Sequence, residues 1–145
     1  MTIQTFELAR RAQESMDRPL EQRLFGAFTG KDIEDNPVQI AFAAGRYAYV
    51  GSPLALEVWF KDQLPFWEPY TDLTKNVRPN ECSPNEIIVK TYEENEHLRD
   101  QLLALGYFLD TGKRIQSGFA TLEVWQLTDS FCTAFNLVIP ELEPA

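Results

Sequence analysis

Apolar residues recur every three to four positions at the start of the chain. Ile3, Phe6, Ala9, Ala12 and Met16 mark one face of an amphipathic helix. Asp17-Arg18-Pro19 then punctuates, with Asp as an N-cap and Pro suited to a first turn. A second short helix is expected from about Pro19 to Phe28 on Leu20, Leu24 and Phe28, closed by Gly30. Asp32 to Pro37 is an acidic turn. Beyond it the period changes to 2: Val38, Ile40 and Phe42 alternate with Gln39, Ala41 and Ala43. Ala44-Gly45-Arg46 is expected to reverse the chain into Tyr47-Ala48-Tyr49-Val50, giving a β-hairpin with tyrosines on one face.

The word LEVW then occurs twice, at Leu56–Trp59 and Leu122–Trp125. The first copy follows Gly51-Ser52-Pro53, a helix-start signal. Leu56, Phe60 and Leu64 form a helical stripe that Pro65 stops. The second copy lies among β-branched and aromatic residues and reads as a strand. The two copies are expected to differ in structure and their flanks share nothing else, so the word is no internal repeat. Pro65 to Pro84 reads as a long surface connection. Glu86 to Thr91 is a strand, and Thr91-Tyr92-Glu93-Glu94 is a capping box for a helix through Leu98, Leu102 and Leu105 that Gly106 ends. A hairpin follows from Tyr107–Leu109 through a turn at Asp110-Thr111-Gly112 to Phe119–Thr128, and a last strand spans about Phe131–Ile139. Consecutive hairpins imply an α+β fold in one domain, residues 1–145: a mainly antiparallel sheet of about five to six strands with helices largely on one face.

Charge narrows the partners. The net charge is -9 over 145 residues. It runs from +1 in residues 1–31, through -3 in 32–80, to -7 in 81–145. An acidic surface repels phosphate backbones and anionic membranes. It suits solubility, a basic protein partner, or mimicry of nucleic acid by an inhibitor. Cys82 and Cys132 with one histidine fall short of a zinc site, so neither metal nor cofactor is implied. The opening residues carry no signal-peptide pattern and no apolar run has spanning length, so a cytoplasmic location with free thiols is expected.

No catalytic motif is spelled out. His97 has no G-x-S-x-G serine or low-pKa cysteine motif to work with and reads as a solvated or capping side chain. Thr29-Gly30-Lys31 and Thr111-Gly112-Lys113 lack the rest of a phosphate loop and read as turns. Asp32, Glu34 and Asp35 lack the glycine and the closing glutamate of a calcium loop. The most unusual stretch is Leu64-Pro65-Phe66-Trp67-Glu68-Pro69-Tyr70, which is incompatible with a helix or a central strand. Phe66, Trp67 and Tyr70, with Trp59, either lid the core or form an interface. Arg46, Tyr47, Tyr49 and Trp125 are the alternative, an aromatic-lined pocket for a small molecule or for a minor enzyme activity. Arg46, Lys113 and Arg114 are turn residues facing water unless they supply that pocket's charged edge. The leading expectation is a non-catalytic regulatory or adaptor module that binds another protein through Phe66–Tyr70 and the acidic C-terminal half. Homodimerisation through a sheet edge or the aromatic loop is compatible with every reading.

Overall fold

Two glycines in Leu24-Phe25-Gly26-Ala27-Phe28-Thr29-Gly30-Lys31 make a poor helix, and the chain uses this run as a strand. The computed structural model describes residues 19, 23–46, 54–75 and 85–141, without the side chains of 46 and 136–141. Strands β1 (Leu24–Lys31), β2 (Pro37–Arg46), β3 (Leu54–Lys61) and β4 (Glu68–Asp72) form an antiparallel meander in that order. Strands β5 (Glu86–Val89), β6 (Phe108–Ser117) and β7 (Ala120–Leu127) form a second antiparallel sheet in the order β5-β7-β6. A 3₁₀ turn, Glu93–Leu98, runs into α1 (Arg99–Ala104), and α2 (Asp129–Glu141) closes the described chain. The α+β class and the antiparallel pairing are as the sequence implies, with the strands divided between two sheets rather than gathered in one of five to six.

The sheets meet below β4. Thr74 bridges to Val89, the Lys75 amide donates to the Ile88 carbonyl at 3.0 Å, and the Lys90 amide donates to the Leu73 carbonyl at 2.8 Å. One core spans both sheets. Ile40, Phe42, Leu56 and Val58 of the first join Ile87, Phe108, Trp125 and Leu127 of the second, together with Leu98 and Leu102 of the first helical segment and Phe131 and Phe135 of α2. Phe25 packs on Phe135 at 4.9 Å and Phe108 on Trp125 at 5.4 Å between ring centroids. A smaller cluster of Ile88, Ile115, Leu122 and Val124 lies apart from it, with Tyr92 against it.

Several local expectations are corrected. The helix expected to Phe28 is β1 over its described part; Gly26, at φ +66°, makes a bulge with Ala27 opposite Ala41, where a Cβ on Gly26 would come 3.0 Å from the Tyr107 ring. Ala44-Gly45-Arg46 does not reverse the chain but continues β2, facing Leu56, Ala55 and Leu54 of β3. The first LEVW is therefore a strand like the second. Part of the expected Pro65–Pro84 connection is β4, where Pro69 pairs opposite Trp59 at a bulge that skips Tyr70.

No side chain caps the helical segment after β5. Thr91 instead donates to Glu123 at 3.1 Å, while Glu94 accepts from Lys90, so the expected capping box is spent elsewhere. Asp110-Thr111-Gly112 is a bulge within β6, fixed by Thr111 Oγ1 donating to the Val124 carbonyl; the hairpin turns at Gly118-Phe119. The expected last strand is α2, because Thr128 Oγ1 accepts from the Phe131 amide at 3.2 Å and Phe131 and Phe135 fall one turn apart on the core. The helix expected over Ile3–Met16, the strand Tyr47–Val50 and Cys82 lie outside the described residues. Among the described residues no helix is long and apolar enough to cross a membrane.

Candidate functional site

An antiparallel meander places alternate connections at the same end. The β1–β2 turn and the β3–β4 turn therefore emerge side by side, and each carries apolar side chains in the open. Ile33 is 69% exposed at the first tip; Leu64 and Phe66 are 49% and 54% exposed at the second, beside exposed Pro65. Burying a side chain of this size is worth about 1.5–3 kcal/mol, so their exposure on two adjacent tips is costly unless something covers them.

Both turns are braced. Asp32 Oδ1 accepts from the amides of Glu34 and Asn36, each at 2.9 Å, closing the first tip with Asp35 at φ +65°. Below it, Gln101 of α1 donates to the Lys31 carbonyl at 3.1 Å and accepts from the Lys31 amide at 2.7 Å. The second tip is fixed through the bulge at Tyr70. The Tyr70 ring stacks on Phe60 at 4.1 Å and 9°, and its hydroxyl donates to the Glu94 carbonyl at 2.7 Å. Thr71 Oγ1 donates to Glu94 Oε1 at 3.1 Å. One helical segment thus anchors both tips, at Glu94 and Gln101, which stand on the order of 12 Å apart along it. Burial raises the Tyr70 phenol above its ordinary value, helped by the charges of Glu94 and Asp32, so the acidic tip is felt at the base of its neighbour.

The charges around these tips differ from those elsewhere. On the second sheet they are paired off. Lys113 meets Glu86 at 2.7 Å; Arg99 meets Glu123 at 2.8 Å and Asp110 at 3.0 Å; and Arg114 meets Asp110 at 2.9 Å. Lys90 meets Glu94 at 2.8 Å. The hydrogen bond from Arg114 is the chief cause that holds the Asp110 carboxyl down at about 2, and that from Lys90 does the same for Glu94. Burial pushes the Glu123 carboxyl up, but hydrogen bonds from Arg99, Trp125 and Thr91 outweigh it and the net shift is downward. At the tips, Glu34, Asp35, Asp62 and Glu68 are all exposed, and none forms an ion pair with another described residue. Glu86, Glu94, Asp110 and Glu123 therefore each have a cationic partner, whereas the four tip carboxylates have none among the described residues.

Of the residues singled out from sequence, Phe66 is exposed, Trp67 is half-buried and Tyr70 is tied into the hairpin base. Trp59 sits on β3, half-buried, with its indole N–H donating to Glu57 at 3.1 Å. The alternative pocket is not assembled among the described residues. Trp125 is fully buried in the core, only the backbone of Arg46 is described, and Tyr47 and Tyr49 lie outside. Lys113 and Arg114 face water, as expected, and also hold ion pairs. His97 is neither solvated nor capping: both ring nitrogens are shielded and find no hydrogen-bond partner among the described residues, and Tyr70 meets the ring edge-on at 5.9 Å. Ile33 was missed, although an apolar residue inside Asp32-Ile33-Glu34-Asp35-Asn36-Pro37 was its signal. Phe119, fully exposed at the β6–β7 turn, was also missed; it borders an open cavity of about 550 Å³ with Tyr92, Glu93 and Thr121. Among the described residues no three His, Cys, Asp or Glu side chains are grouped to hold a metal ion.

No family model, no curated protein and no solved structure matches this chain.

Proposed function

We propose that this chain is a protein-binding module of regulatory or adaptor type, and that it engages its partner with the paired tips of the β1–β2 and β3–β4 turns. The observation that carries the reading is the exposure of Ile33, Leu64 and Phe66 on turns braced from below by the same helical segment. A rigid apolar projection loses little conformational entropy on binding, and a few such side chains supply most of the energy of an interface. Phe66 is the central contact, with Leu64 and Ile33 beside it. Tyr70 and Phe60 form the foundation that holds it out. The half-buried Trp67 lies at the rim.

A photo-reactive phenylalanine analogue placed at position 66 in cells tests this directly. Irradiation is expected to give a discrete protein adduct that is missing when the analogue sits at the exposed Gln116 on β6. If position 66 yields no more adduct than position 116, the tips are not a protein-binding surface.

A further inference from the structure

From the charge around these tips we infer the chemistry of the partner: a segment of another protein in which apolar residues are interleaved with Lys or Arg. This rests on the protein-binding reading just given. On the two turns the three exposed apolar side chains share their stretches of chain with Asp32, Glu34, Asp35, Asp62 and Glu68, with only Lys31 and Lys61 of opposite sign nearby in the sequence. Asp32 spends one carboxylate oxygen on its own turn, but Glu34, Asp35, Asp62 and Glu68 face solvent without an ion pair among the described residues. On and beside the second sheet, Lys90, Arg99, Lys113 and Arg114 are spent pairing Glu94, Glu123, Glu86 and Asp110. The carboxylates beside the apolar tips are thus the ones left without a cationic partner among those compared.

The physical division of labour follows. Apolar contact with Phe66, Leu64 and Ile33 provides affinity. The surrounding carboxylates steer a cationic segment in and repel an acidic one, acting over roughly 10 Å at ordinary salt. An apolar partner edged with Asp or Glu would bring like charges together at the rim. Nucleic acid and anionic lipid would meet the same repulsion.

The test extends the photo-crosslink at position 66 by sequencing the partner peptide in the adduct. A peptide of another protein with apolar residues and a net positive charge is expected. A synthetic peptide of that sequence should bind the purified chain more weakly as salt rises. Its affinity should fall about tenfold for the quadruple variant Glu34→Gln, Asp35→Asn, Asp62→Asn, Glu68→Gln. These changes keep side-chain shape, and Asn is at home in the left-handed backbone of position 35, so the variant should keep the wild-type melting temperature. An acidic or uncharged partner peptide, a second copy of this chain, a lipid or nucleic-acid adduct, or binding indifferent to the quadruple variant would overturn the inference. Among these, an acidic or uncharged peptide leaves the protein-binding reading standing, whereas the lack of any specific adduct removes both.

Discussion

Glu57 and Glu123 occupy the same place in the same tetrapeptide and hold the same partner, since each accepts from the Trp two residues on at 3.1 Å. Their surroundings differ. Glu123 is 9% exposed and also takes Arg99 at 2.8 Å and Thr91 at 3.1 Å, while the Glu57 side chain is 42% exposed and among the described residues has only Arg23, at 3.8 Å, as a cation. Removing a buried carboxylate strands the cation facing it, at a cost of about 3–5 kcal/mol, whereas an exposed pair is worth about 1 kcal/mol at most. Because Arg99 keeps Asp110, Glu123→Ala should fall near 3 kcal/mol and Glu57→Ala within the exposed-pair range. Urea unfolding followed by tryptophan fluorescence separates the two, and equal losses would show that Glu123 is no hub. A pH dependence follows from the same kind of contact. Asp110 and Glu94 titrate at about 2 when folded, below their unfolded values, so the unfolded chain binds more protons in acid. The stability they contribute is complete above about pH 4.5 and is lost as pH falls towards 2. Urea midpoints should be flat from pH 7 to 5 and then drop, and Asp110→Asn should flatten the drop; an unchanged slope in that variant would assign it to other groups.

Strand and helix were confused at the level of the element for one arithmetic reason. A spacing of four residues is two full periods of a strand and close to one turn of a helix. By spacing Leu24 with Phe28, Leu56 with Phe60 and Phe131 with Phe135 all satisfy both, although the bulge at Gly26 puts Leu24 and Phe28 on opposite faces of β1. The first two pairs lie on strands and the third on a helix. Positions between them decide the matter. Leu54 and Val58, buried beside Leu56, complete a period of 2 in β3, and the glycines of β1 exclude a helix. Thr128-Asp129-Ser130 supplies the start signal of α2 that the β-branched run Val138-Ile139 obscured. The second LEVW was legible because its neighbours left no helical alternative.

Facing, by contrast, was not legible from the word itself. In β3 Leu56 and Val58 point into the main core and Trp59 away from it; in β7 Trp125 points in and Leu122 and Val124 join the smaller cluster. One tetrapeptide serves both orientations because a strand's two faces alternate, and only partners distant in sequence choose between them. The exposed Phe66 follows the same logic. Its odd composition marked the segment, but its exposure depends on a bulge at Tyr70 and a helix that arrives later in the chain.

Taken whole, the described residues form two sheets with few direct backbone links among them. Thr74–Val89 is the isolated bridge between them, flanked by two further amide hydrogen bonds, and Thr74 Oγ1 accepts from the buried Leu56 amide at 3.1 Å. So narrow a seam would let the sheets open separately if each had its own core. The side chains say otherwise, because Leu56, Leu73, Ile87, Leu102 and Trp125 belong to a single buried cluster and either sheet alone would expose its half of it. Native-state hydrogen exchange in low denaturant should therefore give the ladder amides of β2 and of β7 the same opening free energy and the same dependence on denaturant. Two distinct values, with the β5-β7-β6 sheet opening first, would show that the seam and not the core sets cooperativity. A frame that opens only as a unit also explains how two surface turns hold apolar side chains in water. The tips are anchored through Glu94 and Gln101 to a helix whose Leu98 and Leu102 sit in that common core, so collapsing the tips would require breaking the element that both sheets share.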